Sequence, residues 1–302
     1  MIKKRLEKPS VSTAFNEYIA DKEHTVVPVT LDAYIVAYQV FCSEVGVMGD
    51  EPVTVLSKNL VEQWKSVRLS SSSSLASSNQ YVNAFRVFLY WCMERNYIDT
   101  YTVKLFKNVK SVSLKKYSEE DIVKLLEKPK KSDRFSFWRT WLIINIILAT
   151  GARIKTVQNI RKSDITDTTI TFIHTKNKKI LVLPISPSLK EAINIYNSVW
   201  DNDSEYLCPS QVGEMCSTDT MRECLELYCK SRGVTYQGWH AFRHSYAYLL
   251  WKNGVDVFTI MQLLGHSSLE MTKIYLGELS GEELSKVEVP LDTFLHKKVR
   301  RK

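Results

Sequence analysis

No uninterrupted apolar run in the sequence approaches the roughly 18 residues that a membrane-spanning helix needs, and Met1–Ser10 carries no hydrophobic signal segment. These absences predict a chain that stays in a reducing cytoplasm, where cysteines remain thiols. Cysteine itself is sparse and poorly spaced for a metal: Cys208, Cys216, Cys224 and Cys229 are eight, eight and five residues apart. That spacing contains no Cys-x-x-Cys pair, and Cys224 and Cys229 do not share a helical face, so no metal site is expected. An acidic excess is missing too. Lys plus Arg number 41 against 33 Asp plus Glu, a formal charge of +8 that suits a polyanionic partner such as nucleic acid. Disorder is excluded as the default, because 302 residues with 44% hydrophobic content can bury the core of one large domain or two ordinary ones.

What is present is mostly helical patterning. Leu31, Tyr34, Ile35, Tyr38, Phe41, Cys42 and Val45 recur at three-four spacing, and Thr30 is the expected N-cap of that helix. Two further helices fit Leu60–Trp64–Val67 and Val82–Phe85–Leu89–Cys92, with Ser70–Ser74 expected as a polar loop between them. This first unit, residues 10–103, holds no ionisable cluster suited to chemistry, so its expected work is binding. A basic connection over 104–117 follows, with Lys104, Lys107, Lys110, Lys115 and Lys116 and no acid among them. Such a segment can track a phosphate backbone.

The second unit, 118–280, opens at Ser118-Glu119-Glu120-Asp121, an N-cap followed by early acids. A segment apolar on nearly all sides follows from Phe137 to Leu148 and is expected at the centre of the core. The β-branched runs Thr168–His174 and Ile180–Ile185, joined by a lysine-rich turn, predict a hairpin. Helices are expected again at Ser188–Val199, Thr220–Cys229, His240–Trp251, Val257–Leu264 and Leu269–Tyr275. The fold class is therefore mainly α: two helical domains, the second carrying a small hairpin.

Several cationic and imidazole groups stand at element ends. Arg153 follows a glycine break in Ala149-Thr150-Gly151-Ala152-Arg153, His240 and Arg243 lie three apart on one helical face, and Leu264-Gly265-His266 precedes Tyr275. Four stretches, ATGARIKTVQNIRKSDI at 149–165, HTKNKKILVLPI at 174–185, HAFRHSYA at 240–247 and LGHSSLEMTKIY at 264–275, resemble the tyrosine recombinase, or phage integrase, family. The combination of His-x-x-Arg, Leu-Gly-His and a tyrosine nine residues further on carries the resemblance.

The resemblance implies a core-binding domain at 10–103, a catalytic domain at 118–280 and a C-terminal tail at 281–302 that packs on a neighbouring subunit. It implies Arg153 and Arg243 as catalytic arginines, Lys176 as the hairpin lysine, His240 and His266 as active-site histidines, and Tyr275 as nucleophile. It further implies a metal-independent, cofactor-free enzyme of prokaryotic or mobile-element origin. That enzyme exchanges strands of double-stranded DNA at short inverted-repeat core sites as a homotetramer, through a 3′-phosphotyrosine and a Holliday junction. A relaxase-like or telomere-resolving enzyme would use the same chemistry, and a catalytically inactive family member would only bind.

The residues agree with the reaction: paired guanidinium forks neutralise charge on a phosphodiester, and a tyrosine needs a base or a positive pocket to lose its proton. His240 is the expected base or its orienter, Lys176 the donor to the leaving oxygen, and His266 a donor to a phosphate oxygen. Thr156 stands where the family usually has an acid, and Lys178 is the alternative to Lys176.

Overall fold

A computed structural model describes residues 8–71, 74–107, 115–173, 180–200 and 203–266, together with Thr272. The chain divides into two compact units, Met1–Ser111 and Val112–Lys302.

The first unit packs four helices, α1 (Val11–Glu23), α2 (Pro28–Val45), α3 (Lys58–Ser71) and α4 (Leu75–Glu94). Its core is aromatic. Phe41 stacks on Phe85 at 4.2 Å and meets Trp64 edge-on, while Phe15 and Tyr18 from α1 close on Phe88. Two expected boundaries are corrected. Helix α2 begins at Pro28 rather than after Thr30, because proline at the first helical position sacrifices no hydrogen bond and presets φ. Ser70 and Ser71 are helical rather than loop: their hydroxyls donate back to Val67 O at 2.9 Å each, which satisfies polar groups that propensity alone assigns to a turn. Beyond α4 the chain is extended and tied down, with Phe106 and Asn79 exchanging two hydrogen bonds of 2.8 and 2.9 Å.

The second unit contains α5 (Glu119–Leu126), α6 (Phe135–Thr150), α7 (Ile154–Gln158), the antiparallel strands β1 (Thr169–Phe172) and β2 (Leu181–Pro184), then α8 (Pro187–Val199), α9 (Thr218–Ser231), α10 (Trp239–Lys252) and α11 (Val257–Leu264). Ser118 caps α5 as expected, accepting from Asp121 N at 3.1 Å. Helix α6 is the hub, packed by α5, α7, α8, α9 and α10. Its sequence is apolar on nearly all sides because little of it is left for water, and Leu142, Ile143, Ile144, Ile146 and Ile147 are all fully buried. The strands pair from Thr169↔Pro184 to Phe172↔Leu181, with Ile170 and Phe172 turned inward. The hairpin turn lies outside the described residues, as do the helix expected at Leu269–Tyr275, Thr272 excepted, and the tail 281–302. The six cysteines are free thiols.

Candidate active site

The end of α6 sets the geometry. Gly151 takes the left-handed conformation (φ 66°) that turns the chain out of α6, and its N–H closes the last turn on Ile147 O. No other residue fits there: a Cβ would lie 2.6 Å from the Tyr246 ring and 2.8 Å from Leu264 Cδ2. The close approach brings α6, α10 and α11 to one point. Two residues on, Arg153 is the half-buried N-cap residue of α7.

Arg243 occupies the point of convergence and is 3% exposed. Its Nη1 donates to Gly151 O at 2.5 Å and its Nη2 to Leu264 O at 2.7 Å, with Nη2 also 2.9 Å from His266 Nε2. A guanidinium only donates, so His266 Nε2 must be the lone-pair nitrogen, and Nδ1 carries the proton toward Thr272 Oγ1 at 2.9 Å. Burial, then the Arg243 and Arg153 charges, push the His266 pKa down to about 4, so the ring is neutral at physiological pH. In this arrangement His266 holds Arg243 in place. Its Nε2 faces Arg243 and its Nδ1 faces Thr272.

His240 lies three residues before Arg243 on α10 and is exposed at the surface. Its pKa is nevertheless lowered, first by the protein packed around it and then by the charges of Arg243 and Arg153. The Arg153 charge contributes to the lowering at both histidines, and Arg153 stands two residues beyond Gly151, whose carbonyl Arg243 holds. One turn after His240, the buried His244 meets it edge-on at 5.4 Å, with its pKa pushed to about 4 by burial and by His240 and Arg243. Sequence reasoning missed His244 and the fully buried Thr272. The four-residue step from His240 is the signal for the first, while nothing in the sequence marks Thr272 as a histidine partner. Thr156 is buried on α7, its N–H bonded to Arg153 O at 2.8 Å. Asp164 is held in its own turn, accepting from Arg161 N at 2.8 Å.

Arg153, His240, Arg243 and His266 are therefore gathered, while Lys176, Lys178 and Tyr275 lie outside the described residues. Lys104, Lys107, Lys115 and Lys116 are exposed, and Lys110 lies outside the described residues. Among the described residues no group of three or more His, Cys, Asp or Glu could hold a metal ion, and no helix is long and apolar enough to cross a membrane. Chemically, the cluster offers fixed positive charge next to neutral imidazoles. That combination stabilises an anionic centre and keeps a neutral His240 ring able to take a proton.

Residues 115–280 match the family model described as the phage integrase family. The chain is 32% identical over 181 residues to tyrosine recombinase XerA of Thermococcus onnurineus, covering 58% of this chain and 61% of that one. It is 27% identical over 208 residues to tyrosine recombinase XerC of Thermodesulfovibrio yellowstonii, covering 64% and 68%. Thus the matched part spans about three-fifths to two-thirds of those relatives' length. Among solved structures, a lambda integrase dimer bound to a COC′ core site superposes with TM-score 0.75 at 17% identity, covering 93% of this chain and 99% of that one. XerH recombinase bound to a palindromic difH substrate superposes with TM-score 0.70 at 19% identity, covering 91% and 83%. At such identities these likenesses bear on fold alone.

Proposed function

The chain belongs to the phage integrase family, and from that premise we propose that it is a site-specific tyrosine recombinase, cleaving and rejoining duplex DNA through a 3′-phosphotyrosine. The observation that carries the reading is the seating of Arg243: two stretches far apart in sequence, one at Gly151 and one at Leu264–His266, converge on one buried guanidinium. A merely structural arginine has no need of a second arginine and two neutral imidazoles around it.

In the proposed reaction the Tyr275 oxygen attacks phosphorus, forming the Tyr–O–P bond and breaking the bond to the 5′ oxygen. Arg243 and Arg153 neutralise charge on the non-bridging oxygens. The neutral His240 takes the tyrosine proton, its lowered pKa keeping it available as a base at physiological pH. Lys176 supplies a proton to the departing 5′ oxygen, and His266 keeps the Arg243 fork aimed. Attack by a 5′ hydroxyl from a partner strand reverses the step and completes exchange. The phosphoester energy is retained throughout, so the proposed cycle draws on no nucleotide cofactor and no divalent metal.

The proposed substrate is double-stranded DNA with short inverted-repeat core sites flanking a crossover region, paired by four protomers through a Holliday junction. Lambda integrase has been seen as a tetramer bound to a Holliday junction, which supports this assembly for a chain of the same fold. The experiment is incubation with paired duplex sites. Recombinants and four-way junctions are expected, whereas nicked circles with neither product would replace recombination by a nicking activity.

A further inference from the structure

The segment leading into α5 grips the helix that carries His240 and Arg243. Tyr117 is 3% exposed, and its ring stacks on Phe242 with centroids 4.2 Å apart and planes 26° apart. Its backbone N–H donates to Ser245 Oγ at 3.0 Å, and that hydroxyl lies 3.3 Å from Tyr117 O, to which it donates in return. Its phenol oxygen accepts from Gln237 N at 3.0 Å. Gln237 and the positive-φ Gly238 form the turn into α10. One residue therefore holds α10 before its first turn, at Phe242 and at Ser245. These three points bracket His240 and Arg243.

The neighbouring residues extend the grip along the same helix. Lys116 Nζ sits 3.4 Å over the Tyr248 ring, and Glu119 pairs with Lys252. A hydrophobic residue just before an N-cap often only staples its own helix, here onto Ile122 of α5. A staple would use the ring alone. It accounts for neither the phenol oxygen on Gln237 N nor the reciprocal pair with Ser245.

We propose that Tyr117 is a positioning residue for His240 and Arg243, fixing the entry and rotation of α10 so that both side chains face the scissile phosphate together. The proposal rests on the recombinase reading. Its physical basis is that catalytic groups must be held within roughly 0.5 Å of their productive places, and a shift of about 1 Å can cost on the order of a hundredfold in rate. The Gln237 bond controls the backbone three residues before His240, and the Ser245 pair controls it two residues after Arg243.

The test uses the full chain with Tyr117→Phe, Tyr117→Leu and Ser245→Ala. Three quantities are measured: affinity for the DNA site, single-turnover cleavage of a nicked suicide duplex, and the His240 titration by ring NMR, its signal identified by loss in His240→Gln. Tyr117→Leu is expected to bind DNA within about twofold of the parent yet cleave on the order of tenfold more slowly. Its His240 midpoint should rise toward the ordinary histidine value as the ring moves away from the two arginines. Tyr117→Phe, which keeps the stack and loses the Gln237 bond, should fall between parent and Tyr117→Leu, as should Ser245→Ala. Parental cleavage with a parental His240 midpoint would overturn the proposal. So would loss of binding and cleavage in step with a lowered melting temperature, which would make Tyr117 a packing residue only. If the parent itself forms no covalent adduct, the recombinase reading fails, and the His240 midpoint still decides whether Tyr117 positions α10.

Discussion

An imidazolium deprived of water and set beside a guanidinium is costly, and His244 and His266 answer by staying neutral, each with its pKa pushed down to about 4. In the unfolded chain such rings titrate near 6.5. Stability is therefore intact above about pH 6.5 and declines as pH falls toward 4, because the unfolded chain binds protons that the fold refuses; with screening by nearby water the loss is on the order of 1–3 kcal/mol per ring. Urea unfolding at about pH 7.5 and 4.5 measures this, and His266→Gln should lessen the difference between the two pH values. An unchanged difference would contradict the buried neutral ring. Gly151→Ala should cost at least about 2 kcal/mol, since it combines a strained φ with a Cβ driven into Tyr246 and Leu264. Equal unfolding midpoints for the variant and the parent would contradict that packing. At this scale His240, Arg243 and His266 are legible because their spacing in sequence is specific. The orientation of the His266 ring is not, since which nitrogen faces Arg243 depends on a hydrogen bond across 23 residues that no local pattern encodes.

Among the elements, α6 is legible for a simple physical reason: a helix apolar on nearly every side belongs at the centre of a core. Leu142→Ala there should destabilise the chain by about 2–5 kcal/mol, whereas Val123→Ala on α5, where the side chain is 64% exposed, should change little. Urea midpoints compare them directly, and similar losses would mean that α6 is not the centre of the core. The hairpin strands follow from β-branched alternation. Helix ends are less legible: Pro28 displaces Thr30 as the start of α2, and serine hydroxyls folded back on carbonyls carry α3 through Ser71. Helix α1 escapes the periodicity reading, although Val11, Ala14, Phe15 and Tyr18 form its buried stripe. Short helices with a mixed composition owe their stability to neighbours, here Phe88 and Trp91, which a local pattern does not contain.

For the whole molecule, the excess of positive charge and the exposed lysines of the connection lead to an ionic-strength prediction. Neutralising Lys104, Lys107, Lys115 and Lys116 together should weaken binding to most DNA sequences and reduce the salt dependence. The reduction should reach up to about 0.9 log unit per log unit of salt for each phosphate that the lysines cease to neutralise. An unchanged slope in titrations at several salt concentrations would place these side chains away from DNA. The change from helical patterns to a lysine-rich stretch predicts two units, and the chain does divide into two compact units, at Ser111. The recombinase reading turns on its nucleophile. Covalent capture on a nicked suicide duplex with EDTA present, followed by peptide mass mapping of the adduct, identifies the attacking residue. A nucleotide on Tyr275 is expected in the parent, and in Tyr275→Phe near-parental DNA binding with no adduct. An adduct that persists in Tyr275→Phe, that maps to Tyr228, Tyr236 or a serine, or whose formation is abolished by chelation while binding survives, would contradict Tyr275 as the attacking group.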